Sequence, residues 1–106
     1  MQPLRTDTIG PMVLAADIDS VRFAPTKWRE GYDQDEVDEF LDRVRAALAD
    51  WEAGRIAPML TSHDVVNRRF QPTKFRSGYE QDEVDEFLDQ AVATLTRYES
   101  AESRLT

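Results

Sequence analysis

Cysteine is missing from all 106 residues, which excludes a disulfide framework, a thiolate metal site and a cysteine nucleophile. Also missing is any apolar run near the ~20 residues that a membrane-spanning helix needs. Residues Met1 to Asp17 lack the basic start and long apolar core of a signal peptide. A basic surplus is absent as well: 13 Lys and Arg stand against 21 Asp and Glu, a net charge of −8. That balance argues against a nucleic-acid binder, which must neutralise phosphates, and it opposes unaided attraction to anionic lipid. These gaps together predict a soluble cytoplasmic protein.

What the chain does contain, it contains twice. GYDQDEVDEFLD, Gly31 to Asp42, returns as GYEQDEVDEFLD, Gly78 to Asp89, at an offset of 47 residues. The match extends outward: Phe23, Pro25, Thr26, Lys27, Arg29, Gly31 and Tyr32 recur as Phe70, Pro72, Thr73, Lys74, Arg76, Gly78 and Tyr79. A fixed period of this kind sets the architecture before any other reading. The first copy spans 11–52 and the second 58–99, leaving 1–10 as a loose lead, 53–57 as a linker and 100–106 as a tail. A copy of about 42 residues is near the lower limit for folding alone, so the copies must share a core with each other or with another chain.

Each copy divides into three parts. Pro11 to Ser20 and Pro58 to Asn67 have the spacing of a short helix, the second with Thr61 or Ser62 as its cap. Arg22 to Tyr32 and Arg69 to Tyr79 read as irregular loops, because Pro25 and Pro72 forbid a continuous helix and Gly31 and Gly78 permit a sharp turn. A long helix follows each glycine. Asp33, with Glu36 three residues on, is a good helix cap; Glu80 is a poorer one. The apolar positions Val37, Phe40, Leu41, Val44, Leu48 and Trp51 fall on one stripe, as do Val84, Phe87, Leu88, Ala91, Leu95 and Tyr98. As heptads, Val37, Val44 and Trp51 take position a and Phe40 and Ala47 position d, which makes the stripe a helix-pairing face. Gly54 and Pro58 end the first long helix.

The expected fold is therefore all-α: two tandem short helix–loop–long helix repeats, the long helices pairing as a short parallel coiled coil. The pairing is either an intramolecular pseudo-dimer or an intermolecular dimer. The intramolecular form requires the chain to return about 30 Å along the first helix. The stretch Glu52 to Thr61 is just long enough at about 3.3 Å per extended residue.

The acids of the repeated block do not make a metal or catalytic site. A calcium loop needs an oxygen ligand at position five and glycine at six; counting from Asp33 these are Val37 and Asp38, and counting from Glu80 position five is Val84. General acid–base work needs a dry pocket that separates two pKa values, whereas six acids crowd each helix start. The lone histidine, His63, has Ala16 as its counterpart and no second ligand. No catalytic, cofactor-binding or metal-binding residue is expected, and no enzyme.

The loops carry the remaining signal. Arg22, Lys27 and Arg29 lie in the first, and Arg68, Arg69, Lys74 and Arg76 flank or lie in the second, each just ahead of the acidic helix start. Trp28-Arg29 and Phe75-Arg76 join a ring to a guanidinium, a combination suited to a membrane interface. The same rings also suit a core, with the arginines paired to nearby acids.

These residues resemble the N-terminal domain of the DivIVA family of bacterial cell-division and polar-growth proteins. The motif runs from Asp17-Ile18 to Phe23, then Arg29-Glu30-Gly31-Tyr32 and Asp35 to Asp42. It runs again through Leu60-Thr61, Asp64-Val65, Phe70, Arg76-Ser77-Gly78-Tyr79 and Asp82 to Asp89, in a tandem like that of actinobacterial repeat proteins. The resemblance implies long helices paired in parallel, with loops crossing at a tip whose aromatic and adjacent arginine contact membrane. By position that tip is Trp28, Arg29, Phe75 and Arg76. The expected function is a non-enzymatic scaffold or adaptor, peripheral at the inner face of the plasma membrane at septum or pole. Its expected partners are itself, anionic membrane and cell-division or cell-wall-synthesis proteins, with no nucleic acid. The alternative is a soluble interaction module whose loop aromatics are buried in the core.

Overall fold

The computed structural model describes residues 12–56 and 59–105. In chain order these form α1 (Ala15–Ser20), β1 (Pro25–Thr26), β2 (Gly31–Asp33) and α2 (Gln34–Glu52), then α3 (Ser62–Asn67), β3 (Pro72–Thr73), β4 (Gly78–Tyr79) and α4 (Gln81–Leu105). The lead 1–10, the proline stop at Pro58 and the end of the tail lie outside the described residues.

The fold is mixed α/β, which corrects the all-α coiled-coil expectation. The two loops build one four-stranded antiparallel sheet in the order β1-β4-β2-β3. Its central pair joins the repeats: Tyr32 faces Tyr79, and Asp33 faces Gly78. Each outer strand also pairs with the other repeat, Pro25 with Tyr79 and Thr26 with Gly78 on one side, Gly31 with Thr73 and Tyr32 with Pro72 on the other. The loops therefore interlock. The backbone groups of an irregular loop packed against a core need partners, and here each repeat supplies them to the other. Pro25 and Pro72 open the two edge strands, where a missing N–H costs least.

The long helices leave this sheet side by side. Gln34 Nε2 donates to Gly78 O at 3.2 Å and Gln81 Nε2 to Gly31 O at 3.3 Å, so both helices start at the same level. At the far end Trp51 and Tyr98, equivalent residues of the two repeats, stack with centroids 5.4 Å apart and planes within 6°. Yet the two helices do not zip along a seam. Each packs more extensively on the short helix of its own repeat than on the other long helix. The apolar stripe is wide enough to serve both neighbours and the loop rings as well.

The caps follow the local chemistry. Asp33 Oδ1 accepts from Glu36 N at 3.0 Å at the start of α2. Thr61 and Asp64 form a reciprocal capping box at the start of α3, at 3.2 and 3.0 Å. The ends of the long helices hold the starts of the short ones: Glu52 Oε2 accepts from Ala15 N at 2.7 Å, and Glu99 Oε2 accepts from Ser62 N at 2.8 Å. Hence α3 begins beside the far end of α4, next to where α2 stops. The linker joins neighbouring helix ends, and the return toward the sheet is made by α3 and the segment after it, not by Glu52 to Thr61.

The core gathers Val13, Ala15, Ile18, Leu60 and Val65 from the short-helix segments against both long helices. Of the expected pairing face, Val37, Phe40, Leu41, Val44, Leu48, Val84, Leu88, Ala91 and Leu95 are buried, while Trp51, Phe87 and Tyr98 are half-buried.

Candidate functional site

The sheet sets up the end of the molecule that faces away from the helices. Residues 27–30 carry the chain from β1 past β4 to β2, and residues 74–77 do the same for the second repeat. The crossing is close. A Cβ on Gly31 would overlap Thr26 Oγ1 and stand 2.7 Å from Tyr79 O; one on Gly78 would overlap Thr73 Oγ1 and stand 2.9 Å from Tyr32 O. Neither glycine has a positive φ, which corrects the sharp-turn expectation. Both are glycine because another backbone passes directly above them.

The crossing brings Trp28 and Phe75 together. Their rings meet edge to face with centroids 6.3 Å apart, and they remain 71% and 65% exposed. Lys27 Nζ and Lys74 Nζ each lie 5.5 Å from the centroid of the ring that follows them. Phe75 has φ 66°, the one non-glycine residue in the left-handed region among those described. Such a backbone costs on the order of 1–3 kcal/mol and persists only where the surroundings hold it.

The other loop aromatics turn inward. Phe23 packs on Tyr79 at 5.4 Å and on Phe87 at 6.0 Å. Phe70 packs on Tyr32 at 5.3 Å and on Phe40 at 5.8 Å. The tyrosines then reach across to the opposite helix, Tyr32 Oη donating to Asp85 Oδ1 and Tyr79 Oη to Asp38 Oδ1, both at 2.8 Å. Burial, reinforced by these hydrogen bonds to carboxylates, pushes both phenols up to about 12.

The two arginines of the expected tip are already engaged. Arg29 Nη1 donates to both carboxylate oxygens of Glu80, at 2.6 and 2.8 Å. Arg76 Nη1 donates to Asp33 Oδ2 at 3.3 Å. Both pairs cross between repeats. The Glu80 hydrogen bond and charge raise the Arg29 guanidinium further above its ordinary value. The Asp33 carboxyl is lowered, first by the amide of Glu36 and then by Arg76, the deeper cause being that one carboxylate serves both as helix cap and as ion-pair partner. Among the described residues, Lys27 and Lys74 form no ion pair.

The structure thus brings all four expected tip residues to one end, but only the rings point freely outward. Pairing of these arginines with nearby acids was one of the two sequence readings, but that the partners are Glu80 and Asp33 of the other repeat, and that Lys27 and Lys74 lie beside the exposed rings, was not read from the sequence. Both acids sit at helix starts, where capping already accounts for them, and the crossing that sets them beside the arginines joins residues more than forty positions apart.

Two shallow grooves flank the sheet, of about 380 Å³ beside Ile18, Leu41 and Tyr79 and about 440 Å³ beside Val65, Leu88 and Tyr32. They are open and carry charges of both signs. No helix among the described residues is long and apolar enough to cross a membrane. Comparison with protein-family models, with curated proteins and with solved structures yields no match.

Proposed function

We propose that the chain is a non-enzymatic, DivIVA-like scaffold or adaptor in bacterial cell division or polar growth, peripheral at the inner face of the plasma membrane at septum or pole. The tip meets anionic lipid, and the acidic helix faces remain for cell-division or cell-wall-synthesis partners. One observation carries this reading: Trp28 and Phe75 stand exposed and in contact at the end of two interlocked loops. Large rings that a small core could use are instead placed outside it, each beside a lysine, and rings with cations suit the headgroup layer. The alternative, a lipid-free module with its loop aromatics buried, agrees with Phe23, Tyr32, Phe70 and Tyr79 but not with these two.

A net charge of −8 opposes the approach to an anionic surface, so binding rests on a few contacts and gains from several copies acting together. Each lysine at the surface contributes about 1 kcal/mol. Cosedimentation with vesicles of phosphatidylglycerol and phosphatidylcholine tests the reading. The wild-type chain pellets with these vesicles and W28S/F75S loses at least tenfold in affinity; equal binding by the two proteins overturns it.

A further inference from the structure

We infer that Arg29 and Arg76 are positioning residues, which hold each tip loop on the helix start of the other repeat, and that the cations presented to a phosphate surface are Lys27 and Lys74. This rests on the membrane reading above.

Three observations lead there. The pairs recur at equivalent places, Arg29 with Glu80 and Arg76 with Asp33, although one acid is a glutamate and the other an aspartate. The acids are the more covered partners, with side chains 20% exposed against 65% for Arg29 and 56% for Arg76. Each guanidinium is therefore drawn back toward a fixed carboxylate at the base of the loop. A guanidinium that shares its charge with a carboxylate at 2.6 Å forms a nearly neutral pair, and such a pair exerts little pull on a phosphate beyond the screening length. Asp82 and Glu83 add to the negative field on Arg29 from the same helix start. Lys27 and Lys74, in contrast, have no carboxylate partner among the described residues and lie beside the exposed rings.

One brace lies next to the strained residue, although Trp28, before the shorter Arg29 brace, has no such backbone. Phe75 adopts φ 66° immediately before Arg76, whose side chain is tied to the other repeat. A loop fixed at its glycine by the crossing strand and at its arginine by the ion pair has little freedom left. The Phe75 ring, just before the arginine, is exposed. Trp28 stands in the equivalent place between Lys27 and Arg29, and the two rings meet edge to face.

A charge exchange separates the roles. In R29E/E80R the brace and its neutrality are kept, while the guanidinium moves from the tip to the helix start. Vesicle affinity of R29E/E80R stays within about twofold of wild type, R29E alone falls at least fivefold, and K27Q/K74Q falls about fivefold for each lysine removed. The inference is overturned if R29E/E80R binds as poorly as R29E, or if K27Q/K74Q binds like wild type. A second measurement uses the unaltered chain, so that folding of the variants is not at issue. On addition of phosphatidylglycerol bicelles, the side-chain NMR signals of the Lys27 and Lys74 Cε groups shift and those of the Arg29 and Arg76 Nε–H groups do not; the opposite pattern overturns the inference. If W28S/F75S binds vesicles like wild type, the membrane reading itself fails. If it loses binding while the exchange is not tolerated, the assignment of the arginines alone fails.

Discussion

Six aromatic residues lie in the two loops, and their neighbours along the chain separate them into two kinds. Phe23, Tyr32, Phe70 and Tyr79 pack on the core, while Trp28 and Phe75 are exposed. The exposed pair are the two with a cation on both sides, Lys27 and Arg29 or Lys74 and Arg76. Burying either ring would drag two charges toward the interior. The flanks are visible in the sequence but left an exposed and a buried ring both open; the left-handed backbone of Phe75 has no sequence signal, because Trp28 has the same flanks and lacks it. The strain predicts an inversion of the usual order between alanine and glycine. Both F75A and F75G remove the exposed ring, but only glycine accepts φ 66° freely. F75G is expected to be more stable than F75A by about 1 kcal/mol in urea unfolding, whereas at position 28 alanine is the more stable.

At the scale of elements, the long helices were legible and the strands were not. A stripe from Val37 to Trp51 repeats its message over several turns, and Asp33 marks its start within four residues. Strands of two or three residues leave no period-two pattern at all, and their hydrogen bonds go to the other repeat. The glycines show the same limit. In a sequence a Gly-Tyr step after a basic loop reads as a turn, but Gly31 and Gly78 are under another strand with Thr26 and Thr73 against them. An added methyl group would have to displace the backbone of the other repeat as well as the threonine side chain. G31A and G78A are each expected to destabilise the fold by about 3 kcal/mol, read as a lower urea midpoint. A turn-forming glycine replaced by alanine would instead strain only its own φ.

At the scale of the whole molecule, the repeats are two halves of one fold. The Arg29–Glu80 and Arg76–Asp33 ion pairs, both tyrosine hydrogen bonds and all the strand pairs run between them, so neither half keeps these interactions without the other. The tyrosines make this testable by pH. Each phenol is raised to about 12 in the folded chain, chiefly by burial and next by its carboxylate partner, against about 10 when unfolded. The folded state therefore binds more protons between those values. The stabilisation is fully present below about pH 10 and is lost as pH rises toward 12. Thermal melts across this window are expected to show a steep fall for wild type and a shallower one for Y32F/Y79F. Equal slopes would mean that these cross-repeat bonds do not contribute.

Some features were determined by the amino-acid sequence alone: two copies at an offset of 47, two long helices with one apolar stripe each, and a ring set between cations in each loop. Those are local facts, written within a few turns of chain or by repetition. The tertiary structure decided that the loops form a sheet, that its strands alternate between repeats, and that Arg29 and Arg76 face Glu80 and Asp33. It also decided which rings stand outside. Each of these depends on groups distant along the chain meeting across the crossing, where hydrogen bonding and close backbone approach act on residues whose local patterns carry no trace of one another.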